Sequence, residues 1–247
     1  MVKFFLNDKE VIADENETIW QVAKKNGLIL PHLCYSDKPG YRADGNCRAC
    51  MVSVEGERVL AASCIRKPSD GMKVFTNDER SEKSRKMILE LLVTDQPEKK
   101  DCHDPDSHFW KIAEDLHVNK SRFDKRNKID VPKSDNSHVA MAVNLDACIN
   151  CNLCVRACRE VQVNDVIGMG NRGHVSKVIF DFNDPMGDSS CVSCGECVQA
   201  CPTGALMESN LLNKKGKKVI NPDRKVDSLC PYCGVGCQLT YNIKDEK

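Results

Sequence analysis

Alternation of apolar and polar positions opens the chain, and residues 2–6 and 10–13 read as two short strands around Asn7-Asp8-Lys9, a turn suited to a tight hairpin. The period then changes. Residues 18–26 read as a short helix that stops at Gly27, and residues 51–54 and 58–62 as further strands leading to Cys64. Over residues 78–93, Met87, Ile88, Leu91 and Leu92 recur at helical spacing behind a charged first half, which predicts an amphipathic helix. A second helix is expected over residues 107–117. Residues 119–138 are polar and charged with almost no apolar periodicity, so a linker is expected there. Residues 214–218 read as a solvated hairpin turn. Leu239, Tyr241 and Ile243 alternate as a last strand that stops without a partner.

With 247 residues and short elements of mixed type, two or three small α+β modules are expected in place of one large core. Hydrophobic residues make up 41% and aromatic ones only 5%, a composition in which bound inorganic centres would help small cores to fold. Lys+Arg and Asp+Glu are each 36, so the balance of charge points away from nucleic acid and anionic membranes and toward protein partners. No apolar run approaches the 18 or so residues of a membrane span. The opening lacks an export signal, and a cytoplasmic location is expected. In that compartment sixteen cysteines argue for metal ligation over disulfides.

The strongest motif is an internal repeat: Cys148-x2-Cys151-x2-Cys154-Val155-x-Ala157-Cys158 returns as Cys191-x2-Cys194-x2-Cys197-Val198-x-Ala200-Cys201. A loop with cysteines three apart wraps three corners of a cubane, and the fourth corner needs a residue from elsewhere. Two such runs match the two-cluster ferredoxin pattern, in which the fourth cysteine of each serves the other cluster. Cys148, Cys151, Cys154 and Cys201 are therefore expected to hold one [4Fe–4S] cluster, and Cys191, Cys194, Cys197 and Cys158 the other. Pro202 follows the second run as the pattern requires, whereas Arg159 stands after the first. Its positive charge is expected to raise the potential of the cluster bound by Cys158. Structural zinc is the competing reading, but it asks for two Cys-x2-Cys pairs per site, not four cysteines in each run.

A second set, Cys34-x12-Cys47-x2-Cys50-x13-Cys64, brings four thiolates to a glycine-rich loop of the first sheet. It suits a [2Fe–2S] centre, with a tetrahedral zinc site as the alternative. The stretch from His32-Leu-Cys34 to Gly45-Asn-Cys47-Arg-Ala-Cys50-Met-Val resembles the amino-terminal ferredoxin-like domain of the peripheral-arm subunit of respiratory complex I, and of relatives in NAD-linked hydrogenases and formate dehydrogenases. The resemblance implies a β-grasp fold. In those relatives a His-x3-Cys-x2-Cys-x5-Cys segment follows and holds a [4Fe–4S] cluster. Here only Cys102 stands there, with His103 and His108 nearby, so no cluster is expected at that place.

Cys230-Pro-Tyr-Cys233-Gly-Val-Gly-Cys237 has the Cys-x2-Cys-x3-Cys spacing that opens the catalytic region of molybdopterin oxidoreductases, where a fourth cysteine completes a [4Fe–4S] site. No fourth cysteine follows, and the expectation is that the natural polypeptide continues; a vestigial motif or a zinc site is the alternative. The order of motifs resembles the alpha subunit of NAD-dependent, molybdenum-containing formate dehydrogenase. That resemblance implies a [2Fe–2S] domain over 1–78, a helical segment with a degenerate motif and linker over 79–138, a two-[4Fe–4S] domain over 139–212, and the start of a molybdopterin-type domain over 225–247. It further implies electrons passing from formate oxidation at a molybdopterin centre outside this chain toward a flavin subunit that reduces NAD. The implied partners are that flavin subunit and the molybdopterin catalytic region.

Two other readings stand beside it. A separate wire subunit of an NAD-linked hydrogenase or complex I-like diaphorase would share the first 210 residues of the plan, and a zinc-stabilised interaction module would need no redox centre. Gly168-x-Gly-x-x-Gly173 is expected to be an ordinary connection, since it lies inside the repeat with no strong helix after it. The sequence carries no nucleophile–base pair and no P-loop, so no catalytic residue is assigned.

Overall fold

A computed structural model describes residues 1–125, 131–219, 221–244 and 246; residues 126–130 of the expected linker lie outside the described residues, as do 220, 245 and 247. Strands β1 (Val2–Leu6) and β2 (Lys9–Ala13) pair antiparallel, with Val2 opposite Ala13 and Leu6 opposite Lys9. Asn7 and Asp8 turn the chain at φ +49° and +66°, the left-handed pair that a two-residue hairpin needs and that Asn and Asp tolerate best. Helix α1 (Ile19–Lys25) begins on a capping box: the Thr18 hydroxyl accepts the Gln21 N–H while the Gln21 side chain accepts the Thr18 N–H.

Strands β3 (Met51–Val54), β4 (Ala61–Ala62) and β5 (Lys73–Phe75) complete a five-stranded sheet of order β2-β1-β5-β3-β4. β1 and β5 run parallel and the other neighbours antiparallel. Phe4, Val11, Ile19, Val22, Val52 and Val74 form the core between sheet and α1, where burying each large aliphatic or aromatic side chain contributes about 1.5–3 kcal/mol. The strand expected over 58–62 shrinks to its last two residues, because Val59 turns to solvent and the Arg58 carbonyl accepts from Arg80 and not from a neighbouring strand.

Helices α2 (Glu79–Asp95) and α3 (His108–Asp115) fall where the periodicity places them, with Asp78 and Ser107 as side-chain caps. They bury Leu89, Val93, Phe109, Trp110 and Ile112 against Leu33 and Ala49, so the helical pair backs the loops that carry Cys34, Cys47 and Cys50. The described part of 119–138 has no helix or strand, and Asp135 bridges to Val143 at its end.

The second half comprises β6 (Met141–Val143), α4 (Leu153–Arg156), β7 (Ile167–Gly170), β8 (Lys177–Phe180), α5 (Glu196–Ala200) and β9 (Leu206–Glu208). β6 pairs with β9 and β7 with β8, both antiparallel. α4 runs on into a π-helical turn at Ala157–Val161. In the glycine-rich stretch, a Cβ on Gly170 would lie 2.8 Å from Ile179 Cγ2, so the glycine lets the hairpin close on its own side chain. No helix among the described residues is long and apolar enough to cross a membrane.

Strands β10 (Arg224–Leu229) and β11 (Gln238–Ile243) form an antiparallel hairpin. The last strand therefore has a partner, contrary to the expectation from sequence. β10 escaped notice because only Val226 and Leu229 of its six residues are apolar and all six are exposed.

Candidate metal centres

The amino-terminal cysteines lie on loops that the sheet and helices hold. Trp20 of α1 donates its indole N–H to Leu30 O at 3.0 Å, which fixes the approach to Cys34. Gly45 and Arg48 adopt φ +63° and +59° and turn the next loop back on itself. A Cβ on Gly45 would stand 2.9 Å from Ile65 Cδ1, and this close approach explains the glycine. The Cys47 N–H donates to Cys34 Sγ at 3.3 Å and the Ala49 N–H to Cys47 Sγ at 3.5 Å. Ser63 ties the two remaining segments together, donating both N–H and hydroxyl to Cys50 O. Buried Arg85 of α2 donates twice to Met51 O, next to Cys50.

The four thiols meet as two pairs. A hydrogen bond between Cys34 and Cys47 raises the Cys34 pKa and pushes Cys47 down to about 7. The bond between Cys50 and Cys64 likewise raises Cys64 and pushes Cys50 down to about 6. Each pair therefore gives up one proton readily and holds the second. Two touching pairs of sulfurs, with Cys34, Cys50 and Cys64 buried and Cys47 half-buried, offer a donor set that suits a two-iron centre, in which each iron would take two thiolates.

In the repeat, the same backbone device occurs twice. Asn150 and Asn152 stand at φ +52° and +63°, and their counterparts Ser193 and Gly195 at +59° and +76°. These left-handed residues curl each run so that successive thiols point inward. They also turn the N–H of Asn150 onto Cys148 Sγ at 3.4 Å and that of Ser193 onto Cys191 Sγ at 3.5 Å. The fourth thiols cross over. Cys148, Cys151, Cys154 and Cys201 line one cavity, walled by Leu145, Ile149, Val178 and Leu206. Cys158, Cys191, Cys194 and Cys197 line a second, walled by Met141, Val166, Ile167 and Val192. Val166 N–H donates to Cys158 Sγ at 3.3 Å, and the Asn164 side chain reaches Cys194 Sγ at 3.8 Å.

Burial, then the crowding of neighbouring thiols, raises the Cys151 and Cys154 pKa values well above normal and lifts Cys197 to about 12. Thiolates gathered in apolar cavities need cationic compensation, and a cluster of iron ions suits that donor chemistry. Among the described residues, no three or more His, Cys, Asp or Glu side chains close on a point that would take a single metal ion.

The remaining candidates are less enclosed. Cys230, Cys233 and Cys237 sit on the loop of the β10–β11 hairpin, tied by a Cys230 N–H to Cys237 O bond of 2.8 Å, with Cys233 and Cys237 exposed. Cys102 is buried, donates to Lys99 O at 2.9 Å, and is raised to about 11 mainly by burial. Burial opposes a charge on His103, but its bonds to Asp146 and to Gly216 O outweigh that and raise its pKa. His108 donates from Nε2 to His32 O at 2.8 Å, their rings 4.8 Å apart. All three side chains thus have structural partners.

Two arginines bear on the sites. Arg159 forms an ion pair with Asp165, both more than half exposed, so little of its charge is left uncompensated for the Cys158 site. Arg156, not singled out from the sequence, is buried between the Cys34 loop and the first run. The only sequence signal was an arginine two residues from each of two ligand-spaced cysteines.

Comparison with known proteins finds three family matches along the chain. Residues 1–79 match the 2Fe-2S iron-sulfur cluster binding domain, residues 147–205 the 4Fe-4S dicluster domain, and residues 223–247 the molybdopterin oxidoreductase Fe4S4 domain. The NADP-reducing hydrogenase subunit HndD of Solidesulfovibrio fructosivorans is 32% identical over 92% of this chain and 39% of its own length. A formate dehydrogenase-like protein of Staphylococcus haemolyticus is 25% identical over 98% of this chain and 28% of its own. The chain therefore spans well under half the length of either relative. Among solved structures, a chain of an NAD+-reducing [NiFe]-hydrogenase in the H2-reduced state superimposes with a TM-score of 0.74 at 25% identity, covering 88% of this chain and 92% of that one. The chain thus carries a 2Fe-2S iron-sulfur cluster binding domain and a 4Fe-4S dicluster domain, an arrangement in which it is similar to these oxidoreductase subunits.

Proposed function

We propose that this chain is the electron-conducting portion of a formate dehydrogenase alpha subunit, passing electrons from a molybdopterin centre toward a flavin subunit that reduces NAD+. The proposed ligands are Cys34, Cys47, Cys50 and Cys64 for the [2Fe–2S] centre, and the two crossed sets of the repeat for the [4Fe–4S] centres. Residues 1–78 and 139–212 are taken as the two cluster-bearing units, with 225–247 opening the molybdopterin-type region. The observation that carries the reading is the pair of cavities, each lined by three cysteines of one run and the fourth of the other.

Bound clusters supply one-electron redox chemistry. The chain's own residues bury the thiolates, aim N–H groups at the sulfurs and keep water from the first run, where Cys151 and Cys154 are buried. They also bring the units together: Cys34, Cys151 and Leu153 share one apolar cluster, and Tyr41 donates to Glu196 of α5 at 2.8 Å. In the proposed reaction formate yields carbon dioxide, a proton and two electrons, and NAD+ takes up two electrons and a proton.

The match of residues 223–247 to a molybdopterin oxidoreductase domain and the likeness to a formate dehydrogenase-like protein support formate as the electron source. The higher identity to a hydrogenase subunit favours a second reading, a wire in an NAD(P)-linked hydrogenase. The deciding experiment isolates the native complex anaerobically and follows cluster reduction by electron paramagnetic resonance, offering formate or H2. Formate-dependent reduction that passes on to NAD+ is the expected result. Reduction by H2 alone overturns formate as the donor, and absence of both cluster types overturns the ligand sets.

A further inference from the structure

Arg156 ends α4, two residues after Cys154 and two before Cys158, and its side chain is only 2% exposed. Its guanidinium makes contacts on every side. Nη2 donates to Cys34 O at 2.7 Å and to Cys151 O at 3.3 Å, Nη1 to Arg42 O, and Nε to Asn152 O at 3.4 Å. One cation thus joins the carbonyl of a cysteine in the first unit to the carbonyl of a cysteine in the second.

Its counter-charge is shared with a second arginine. Asp44 Oδ2 lies 3.2 Å from Arg156 Nε, while the other oxygen of the same carboxylate lies 3.1 Å from Arg42 Nη1. Arg42 in turn reaches Glu160 at 2.8 Å. A buried ion is costly, and an apolar side chain of like volume would serve packing as well or better. A buried guanidinium is suited instead to two tasks that an apolar side chain cannot perform, cross-linking carbonyls and holding a fixed positive charge.

We propose that Arg156 is a positioning residue for electron transfer between the [2Fe–2S] site and the first [4Fe–4S] site, clamping their loops together and raising both reduction potentials. This rests on the ligand sets proposed above. Each reduction adds a negative charge beside the guanidinium, and in a poorly screened interior a nearby cation stabilises the reduced form. Asp44 acts in the opposite sense, so the pair sets the potentials between two limits.

The test is a redox titration of the reconstituted full chain, monitored by electron paramagnetic resonance, for wild type, Arg156→Gln, Arg156→Lys and Asp44→Asn. Arg156→Gln should lower both potentials, changing the reduced-to-oxidised ratio at fixed potential about tenfold, or about 59 mV for one electron. Asp44→Asn should raise them. Arg156→Lys keeps the charge but loses the fork, so the potentials return toward wild type while magnetic coupling between the two centres weakens. A purely structural role would not move the potentials in opposite directions for Gln at 156 and Asn at 44. Wild-type protein without signals overturns the ligand reading itself. Wild-type signals with potentials that ignore both charge changes overturn the role of Arg156, and if Arg156→Gln fails to bind its clusters, the Asp44→Asn shift decides alone.

Discussion

The two cysteine runs of the repeat share a backbone and differ in surroundings. In the first, Cys151 and Cys154 are buried and Cys151 packs against Cys34 of the amino-terminal unit; in the second, Cys194 is exposed beside exposed Val192. Residues 150 and 193 are left-handed in both, as are 152 and 195. Local geometry therefore follows the repeated cysteine spacing, while solvent access follows what each run packs against. A ligand motif fixes the kind of centre, and its neighbours fix the electrical environment.

The sharpest way to break the symmetry uses the crossed cysteines. Cys158→Ser is expected to abolish the centre of the second run and leave that of the first, and Cys201→Ser to do the reverse; iron content and resonance signals of the two variants read this directly. If each substitution instead removes the centre of its own run, the crossed assignment is wrong. Next in size is solvent access: an iron chelator or air should strip the second run's centre several times faster than the first's, followed by the decay of visible absorbance.

Backbone substitutions give a smaller effect. A Cβ on Gly195 meets nothing within 4 Å, so Gly195→Ala carries only the left-handed penalty, about 1–2 kcal/mol. Thermal unfolding should show that loss, and Gly195→Asn, which copies Asn152 of the other run, should recover most of it. The smallest effect is expected at Arg159. Its ion pair with Asp165 is largely exposed, so Arg159→Gln should lower the potential of the Cys158 centre only slightly in a redox titration. A shift as large as that for Arg156→Gln would show that exposure does not screen this charge.

The grouping of the cysteines in the candidate site was legible from spacing, because a run able to wrap a polynuclear centre leaves few ways to arrange its thiols. The capped helices α1, α2 and α3 were legible for a similar local reason: Thr18, Asp78 and Ser107 each precede a helical apolar pattern and cap it in the structure. Long-range features were not. β10 has no apolar stripe to announce it, and β4 is shorter than its alternation promised because Arg80 comes from α2 to take a carbonyl. Arg156 carried no periodic signal at all. Its meaning lies in Cys34 and Asp44, more than a hundred residues away in sequence, and only the folded chain brings them together.

The pairing of β6 with β9 has a consequence for the history of such chains. Because Met141 lies opposite Glu208 and Val143 opposite Leu206, the dicluster unit is entered and left at a single edge. A unit whose two ends meet can be spliced between neighbours, or exchanged, without forcing them apart. Proteins of this kind can then be read as cassettes strung in different orders.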